Sequence, residues 1–226
     1  MATPDDPIAS PHLRPADLAR PPAACARALL GCTLVRTLPT GEQLAGVIVE
    51  TEAYGGSRDA ASHSYRGRRT PRNESMYGPP GTAYVYFTYG MHFCFNVVCG
   101  RADEGVAVLV RALEPTAGIE EMRRRRSAHR RAGATSLRDR DLCSGPARLC
   151  QAFGVERSLD GSPLTEPGGT LRLLGRRAAE GGRGAPGPPR RLGTIGRSPR
   201  IGVAYAGAWA EKPRRWFFVG HPCVSR

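Results

Sequence analysis

The spacing of apolar positions changes several times along the chain, and each change marks an element. Leu18, Ala23, Ala26, Leu29 and Leu30 fall at helical spacing within Ala16–Leu30, with Pro21 and Pro22 limiting where the helix begins and Gly31 closing it. Thr33–Leu38 and Leu44–Ala53 read as strands joined by the turn Pro39-Thr40-Gly41. Ala83–Tyr89 and His92–Cys99 are β-rich runs about Gly90-Met91, a hairpin pattern. Val106–Leu113 is β-branched and almost wholly apolar, as a central strand is. Helices are expected over Thr116–Arg126 and Gly145–Phe153, the latter ended by Gly154, and strands over Arg200–Tyr205 and Arg214–Val219.

Between these elements, residues 55–82 are rich in Gly, Arg, Ser and Pro and read as a functional loop with a little helix. Residues 1–13 read as a disordered arm, and 176–200, full of Gly, Pro and Arg, as a flexible loop. Strands and hairpins interspersed with few helices predict an α+β fold: one domain over 14–226 with a curved, largely antiparallel β-sheet and a few surrounding helices.

The 226 residues carry a net charge of +13, which favours a polyanionic partner, nucleic acid above all. A bias towards Arg codons explains arginine in place of lysine, Lys212 being the only lysine, but not an excess of cations over acids. The apolar runs are strand-length, too short to span a bilayer, and the first twelve residues lack the pattern of an export signal. The protein is therefore expected to stay where it is made, in the cytoplasm. Seven cysteines without close pairs or a histidine at zinc-finger spacing read as reduced, buried thiols, and no metal or cofactor is expected.

Three segments carry candidate chemistry. In Glu50-Thr51-Glu52-Ala53-Tyr54, the two acids and the phenol share one strand face, because side chains alternate with period two. A pocket carboxylate can act as a general base on water, although on this segment alone a solvated strand end is the plainer reading. In Ala83–Gly90, Tyr84 and Tyr86 point one way and Tyr89 stands at the hairpin tip. These rings suit a core equally well, yet a ring projecting from a turn of a basic protein suggests a wedge or stacking platform for bases. Arg66, Arg68, Arg69 and Arg72 follow His63 on a loop, where guanidiniums suit phosphate contacts or simple solvation. The run Arg123–Arg126 reads more simply as cations favoured at a helix C-terminus. Phosphate-loop, dinucleotide, serine-elbow and zinc-deaminase motifs are missing.

Together with Ala61-Ser62-His63-Ser64, Thr70-Pro71-Arg72-Asn73, Met76–Phe87, Tyr89–Asn96, Val110–Pro115, Gly145–Cys150 and Pro199–Val203, these segments make the chain resemble the alkyladenine (3-methyladenine) DNA glycosylase family in its bacterial form, from about Leu18 onwards. The resemblance implies base-excision repair of alkylated or deaminated purines in double-stranded DNA by a monomer. It implies Glu52 as the base that activates water, with Arg111 beside it. Tyr54 is implied on one side of the flipped base and His63 and Tyr86 on the other. It further implies Asn96 opposing the 2-amino group of normal guanine and Tyr89 as the wedge in the duplex. With one lysine in the chain, direct water attack is expected in preference to an amine Schiff base. Two other classes remain open: a damage-binding relative without catalysis, and an RNA-binding β-barrel module.

Overall fold

A computed structural model describes residues 10–88, 90–131, 135–176 and 193–225. Its frame is one antiparallel sheet built from β1 (Thr33–Thr37), β2 (Gln43–Tyr54), β3 (Ala83–Thr88), β4 (His92–Val98), β5 (Ala107–Ala117), β6 (Leu171–Leu174), β7 (Ile195–Ser198) and β8 (Arg215–Phe218). The main path runs β3-β4-β5-β2-β1-β6. β2 carries two partners on one edge: β1 along its first half and β8 opposite Glu50–Glu52. This fork lets the sheet curl, and β7 extends the β8 branch.

The pairing of β2 with β5 is bulged twice where it matters. Between Ile48↔Leu113 and Glu50↔Ala112 the extra residue is Val49; between Glu50↔Ala112 and Thr51↔Val110 it is Arg111. Bulges bend a strand and re-aim its side chains. Here they bring Arg111 to the carboxylates of β2. As expected, β5 is central, flanked by β4 and β2, and buried from Ala107 to Leu113.

Helices α1 (Pro15–Leu18), α2 (Pro22–Leu29), α3 (Ile119–Ala128), α4 (Asp139–Leu142) and α5 (Pro146–Phe153) surround the sheet. Leu29, Leu149 and Phe153 join Ile48, Phe95 and Leu113 in the main core. α5 has Pro146 at its first turn, where no backbone donor is missed, and ends at Gly154 in left-handed geometry, φ +60°. That left-handed backbone favours glycine, and a Cβ there would also displace the end of the Arg125 side chain. No helix among the described residues is long and apolar enough to cross a membrane.

Several boundaries differ from the sequence expectation. The single helix expected over Ala16–Leu30 is two, because Pro21 and Pro22 interrupt the backbone ladder. β5 runs on to Ala117, which delays α3 to Ile119. The strand expected over Arg200–Tyr205 is a turn at Gly202, φ +78°, leading into a 3₁₀ segment at Ala204–Trp209. Within the expected loop 176–200, Ile195–Ser198 is a strand paired with β8; residues 177–192 lie outside the described residues. The expected arm likewise divides: 1–9 lie outside the described residues, but Pro11–Leu13 pair with the sheet edge. Leu13 N–H donates to Leu173 O at 3.2 Å, and Pro11 O accepts from Gly175 N–H at 2.7 Å. β6 itself has too short and unmarked a sequence to stand out.

Candidate active site

Where β2 ends, a cavity of about 250 Å³ opens, lined by Tyr54, His63, Tyr86, Asn96, Arg111 and Ile201 among others. Glu52 lies immediately behind that lining and is fully buried. Its Oε1 accepts from the Ile201 N–H at 2.8 Å and pairs with Arg111 Nη1 at 3.2 Å, and its Oε2 accepts from the Tyr54 hydroxyl at 2.8 Å. A carboxylate offers about four acceptor sites, so about one is left over.

Burial pushes the Glu52 carboxyl above its ordinary range, opposed by Arg111, the Ile201 N–H and the Tyr54 hydroxyl. Burial depresses Arg111 too, but Glu52 and Glu50 outweigh it and hold the guanidinium charged. Burial, then the neighbouring Glu52, raise Tyr54 well above an ordinary phenol, so Tyr54 stays a donor.

The structure therefore brings together Glu52, Tyr54 and Arg111, as the period-two face and the motifs suggested. Glu50 lies on the same network: its Oε1 accepts from Arg111 Nε at 3.0 Å, Arg215 Nε at 2.6 Å and Ser225 Oγ at 2.8 Å, and its Oε2 from Ser225 N–H at 2.7 Å.

The opposite part of the lining comes from the loop and the β3–β4 hairpin. His63 meets Tyr86 edge to face, ring centres 4.5 Å apart, and its Nδ1 lies 2.7 Å from the Tyr84 hydroxyl. Burial, with Arg72 and Arg68 nearby, lowers His63 to about 4, so the imidazole is neutral at neutral pH. Asn96 is paired with Tyr84 across the hairpin and donates from Nδ2 to its carbonyl at 3.0 Å, which fixes the amide.

Tyr89 lies outside the described residues. Of the loop arginines, Arg72 donates to the Phe87 carbonyl at 2.9 Å beneath the hairpin tip. Arg66 adopts left-handed geometry, φ 57°, and rests over the Tyr65 ring, while Arg68 offers its carbonyl to Asn73 and Tyr77. Arg69 is tied to Glu74 at 2.5 Å and Asp103 at 2.7 Å, so it is already matched by two carboxylates.

Sequence reading missed a second layer. Arg200, with no side-chain exposure, forms a two-pronged pair with Asp59 at 2.6 and 2.8 Å, donates to the Ala53 carbonyl at 2.9 Å and sits 4.8 Å from the Tyr54 ring centre. Burial pushes Asp59 up, but Arg200 and the N–H groups of Gly55 and Ala61 outweigh it and hold the carboxyl below its usual value. This pair fixes the segment whose next residue, Ile201, donates to Glu52. Asn73 plays the same part for the loop: its Oδ1 accepts from Thr70 and its Nδ2 donates to the carbonyls of His63 and Arg68. The sequence signal was present in Pro199–Val203 and Thr70–Asn73, but nothing in either segment names its partner. Among the described residues, no cluster of His, Cys, Asp and Glu could hold a metal ion.

The fold and site thus define a small α+β protein in which a curled antiparallel sheet carries an aromatic-walled cavity over a buried carboxylate–arginine network, in a strongly basic chain. The methylpurine-DNA glycosylase family matches residues 16–222, and the chain belongs to that family. It is 45% identical over 207 residues to the human DNA-3-methyladenine glycosylase, covering 91% of this chain and 65% of the human protein. Identity to the mouse DNA-3-methyladenine glycosylase is 43% over 217 residues, 96% of this chain and 62% of the mouse protein. The chain thus spans just under two thirds of these mammalian relatives. A Myxococcus xanthus protein, provisionally named 3-methyladenine DNA glycosylase, is 43% identical over 208 residues, 92% of this chain and 90% of that protein.

Proposed function

We propose that the chain is a monofunctional DNA glycosylase of base-excision repair. It extrudes an alkylated or deaminated purine from duplex DNA into the aromatic cavity and hydrolyses the N-glycosidic bond, leaving an abasic site. The substrate class is 3-methyladenine and 7-methylguanine, extending to hypoxanthine and ethenoadenine.

Extrusion costs a few kcal/mol and least for a damaged or mispaired base. Stacking on Tyr54 and against Tyr86 and His63 returns about 1–3 kcal/mol per base. A cationic alkylpurine gains about 0.5–2 kcal/mol more from the electron-rich rings. Such a base is also a good leaving group and asks little acid catalysis of the protein. Neutral lesions need their leaving nitrogen protonated. Asn96 opposes the 2-amino group of normal guanine, Tyr89 fills the vacated stack, and Arg66, Arg68 and Arg72 contact phosphates, with Arg69 joining if it leaves its two acids. The charge of +13 supports a DNA partner held largely through its backbone. The protein acts as a monomer, in the cytoplasm on the nucleoid.

The observation that carries this reading is the environment of Glu52. An arginine, a phenol and a backbone N–H occupy three of its acceptor sites beside the aromatic cavity, leaving one for a water. Its full burial favours a second reading, a damage binder without chemistry. Excision assayed over the four lesions with wild type and Glu52→Gln separates them. The enzyme reading expects the variant to bind lesion DNA and to release no base. Lesion binding with no release by either protein would leave the binder, and release by the variant at the wild-type rate would take the catalytic role away from Glu52.

A further inference from the structure

Glu52 is not the only acid that Arg111 serves. The same guanidinium reaches Glu50 through Nε at 3.0 Å and Glu52 through Nη1 at 3.2 Å. One cation between two buried carboxylates is divided unless something else neutralises one of them. Arg215 does so from β8, with Nε 2.6 Å from the Glu50 Oε1. Arg215 also donates to Ser198 Oγ at 3.2 Å and Ser225 O at 3.4 Å, so it is held in place. Ser225 adds two donors to Glu50, and its Oγ accepts from Arg111 Nη2 at 3.3 Å. Glu50 lies outside the cavity lining and is saturated with donors, which leaves no room for it to handle a substrate.

We propose that Glu50 and Arg215 are positioning residues that divide the charge of Arg111 and thereby set how strongly Glu52 holds a proton. The network is a relay of four charges: Arg215 satisfies Glu50, Glu50 orients Arg111 through Nε, and Arg111 is left to stabilise ionised Glu52 through Nη1. The inference rests on Glu52 being the base. The charged and titratable groups that face Glu52 are Arg111 from β5, Glu50 and Tyr54 from β2, Tyr86 from β3, Cys94 from β4 and Arg200 from the segment before Ile201. Of these, only Arg111 is shared with Glu50 by direct contact at both acids.

The two residues then act in opposite directions. Glu50→Gln removes a negative neighbour and leaves Arg111 wholly to Glu52, which lowers the proton affinity of Glu52. Arg215→Gln leaves Glu50 uncompensated, draws Arg111 towards it and raises that affinity. The test is the acid limb of single-turnover excision at saturating protein, on duplex DNA carrying 7-methylguanine, whose departure needs no protonation. Glu50→Gln should move the limb about one pH unit down and Arg215→Gln about one unit up, a roughly tenfold change in rate at a fixed pH on the limb. Arg215→Lys, which keeps the charge, should restore the wild-type position. Both limbs unmoved, or both moved the same way as general loosening would do, overturns the proposal. Arg215 is less deeply buried than Glu50, with 13% of its side chain exposed against none, so if Glu50→Gln does not fold, the Arg215→Gln and Arg215→Lys pair decides alone. A Glu52→Gln variant that still excises overturns the reading of Glu52 instead, independently of these shifts.

Discussion

Tyr54 donates its hydroxyl to Oε2 of Glu52 at 2.8 Å, and the two are successive same-face residues of β2. One side chain thus forms part of the cavity wall and helps fix the carboxylate behind it. Ring and hydroxyl do separable work, and conservative variants pull them apart.

Tyr54→Phe keeps the ring and removes one of three donors to Glu52. A hydrogen bond to a charged group contributes about 1.5–3 kcal/mol. Its loss should leave lesion affinity within about twofold while the acid limb of excision moves up by one to two pH units. Tyr54→Ala should weaken lesion binding as well, by about 1–3 kcal/mol of stacking. Equilibrium binding to lesion DNA and single-turnover excision, read side by side, check both.

His63 supplies a pH dependence of stability. Burial and the nearby arginines hold it near 4, against 6.5 for an ordinary imidazole. Between those values the unfolded chain binds the proton more tightly than the folded one. The stability due to neutral His63 is therefore complete above pH 6.5 and is lost progressively as pH falls towards 4. Relative to a His63→Gln variant, wild type should lose an additional 1–3 kcal/mol, roughly, over that window. Urea midpoints of the two proteins at pH 7, 5.5 and 4 measure it; a constant difference would refute it.

Much of this site was legible because strand geometry is local. Period two alone puts Glu50, Glu52 and Tyr54 on one face, and Tyr84 with Tyr86 on another. What stayed hidden depends on distant partners. Arg200 finds Asp59 across 141 residues, and Ile201 finds Glu52 across 149, with nothing in either segment to announce it. The bulge at Arg111 is a register shift between two strands, invisible in either one. Pro11–Leu13 look like an arm because their composition is polar and proline-rich, yet backbone pairing to Leu173 and Gly175 needs no side-chain signature.

The Arg200–Asp59 pair is the most deeply buried ion pair of the site, with no side-chain exposure on either partner. Breaking it from one side should cost about 3–5 kcal/mol, since the remaining charge is stranded. Asp59→Asn and Arg200→Met are thus both expected to lower the unfolding midpoint sharply. Replacing both together with apolar residues should recover most of the stability, as such swaps often do. Excision should not recover with it, because the Ile201 N–H then loses the anchor that aims it at Glu52. Midpoints from chemical unfolding, set beside excision rates, separate the two effects.

The chemistry of bond cleavage can be trapped directly. An amine nucleophile would form a Schiff base with the released sugar, and borohydride would fix it as a covalent protein–DNA adduct. The only side-chain amine is Lys212, whose Nζ lies 3.4 Å from the centre of the Trp209 ring and which does not line the cavity. Leaving that ring gives up a cation–π contact of roughly 0.5–1 kcal/mol, a small barrier, so the position of Lys212 and not its tether is what keeps it from the reaction. The proposed mechanism therefore takes water held by Glu52 as the nucleophile and predicts an intact strand with an abasic site as the product. Borohydride added during turnover should give no adduct on a denaturing gel, and alkali added afterwards should cut the strand. An adduct in wild type that disappears in Lys212→Arg would show that this amine, and not Glu52-activated water, attacks the sugar.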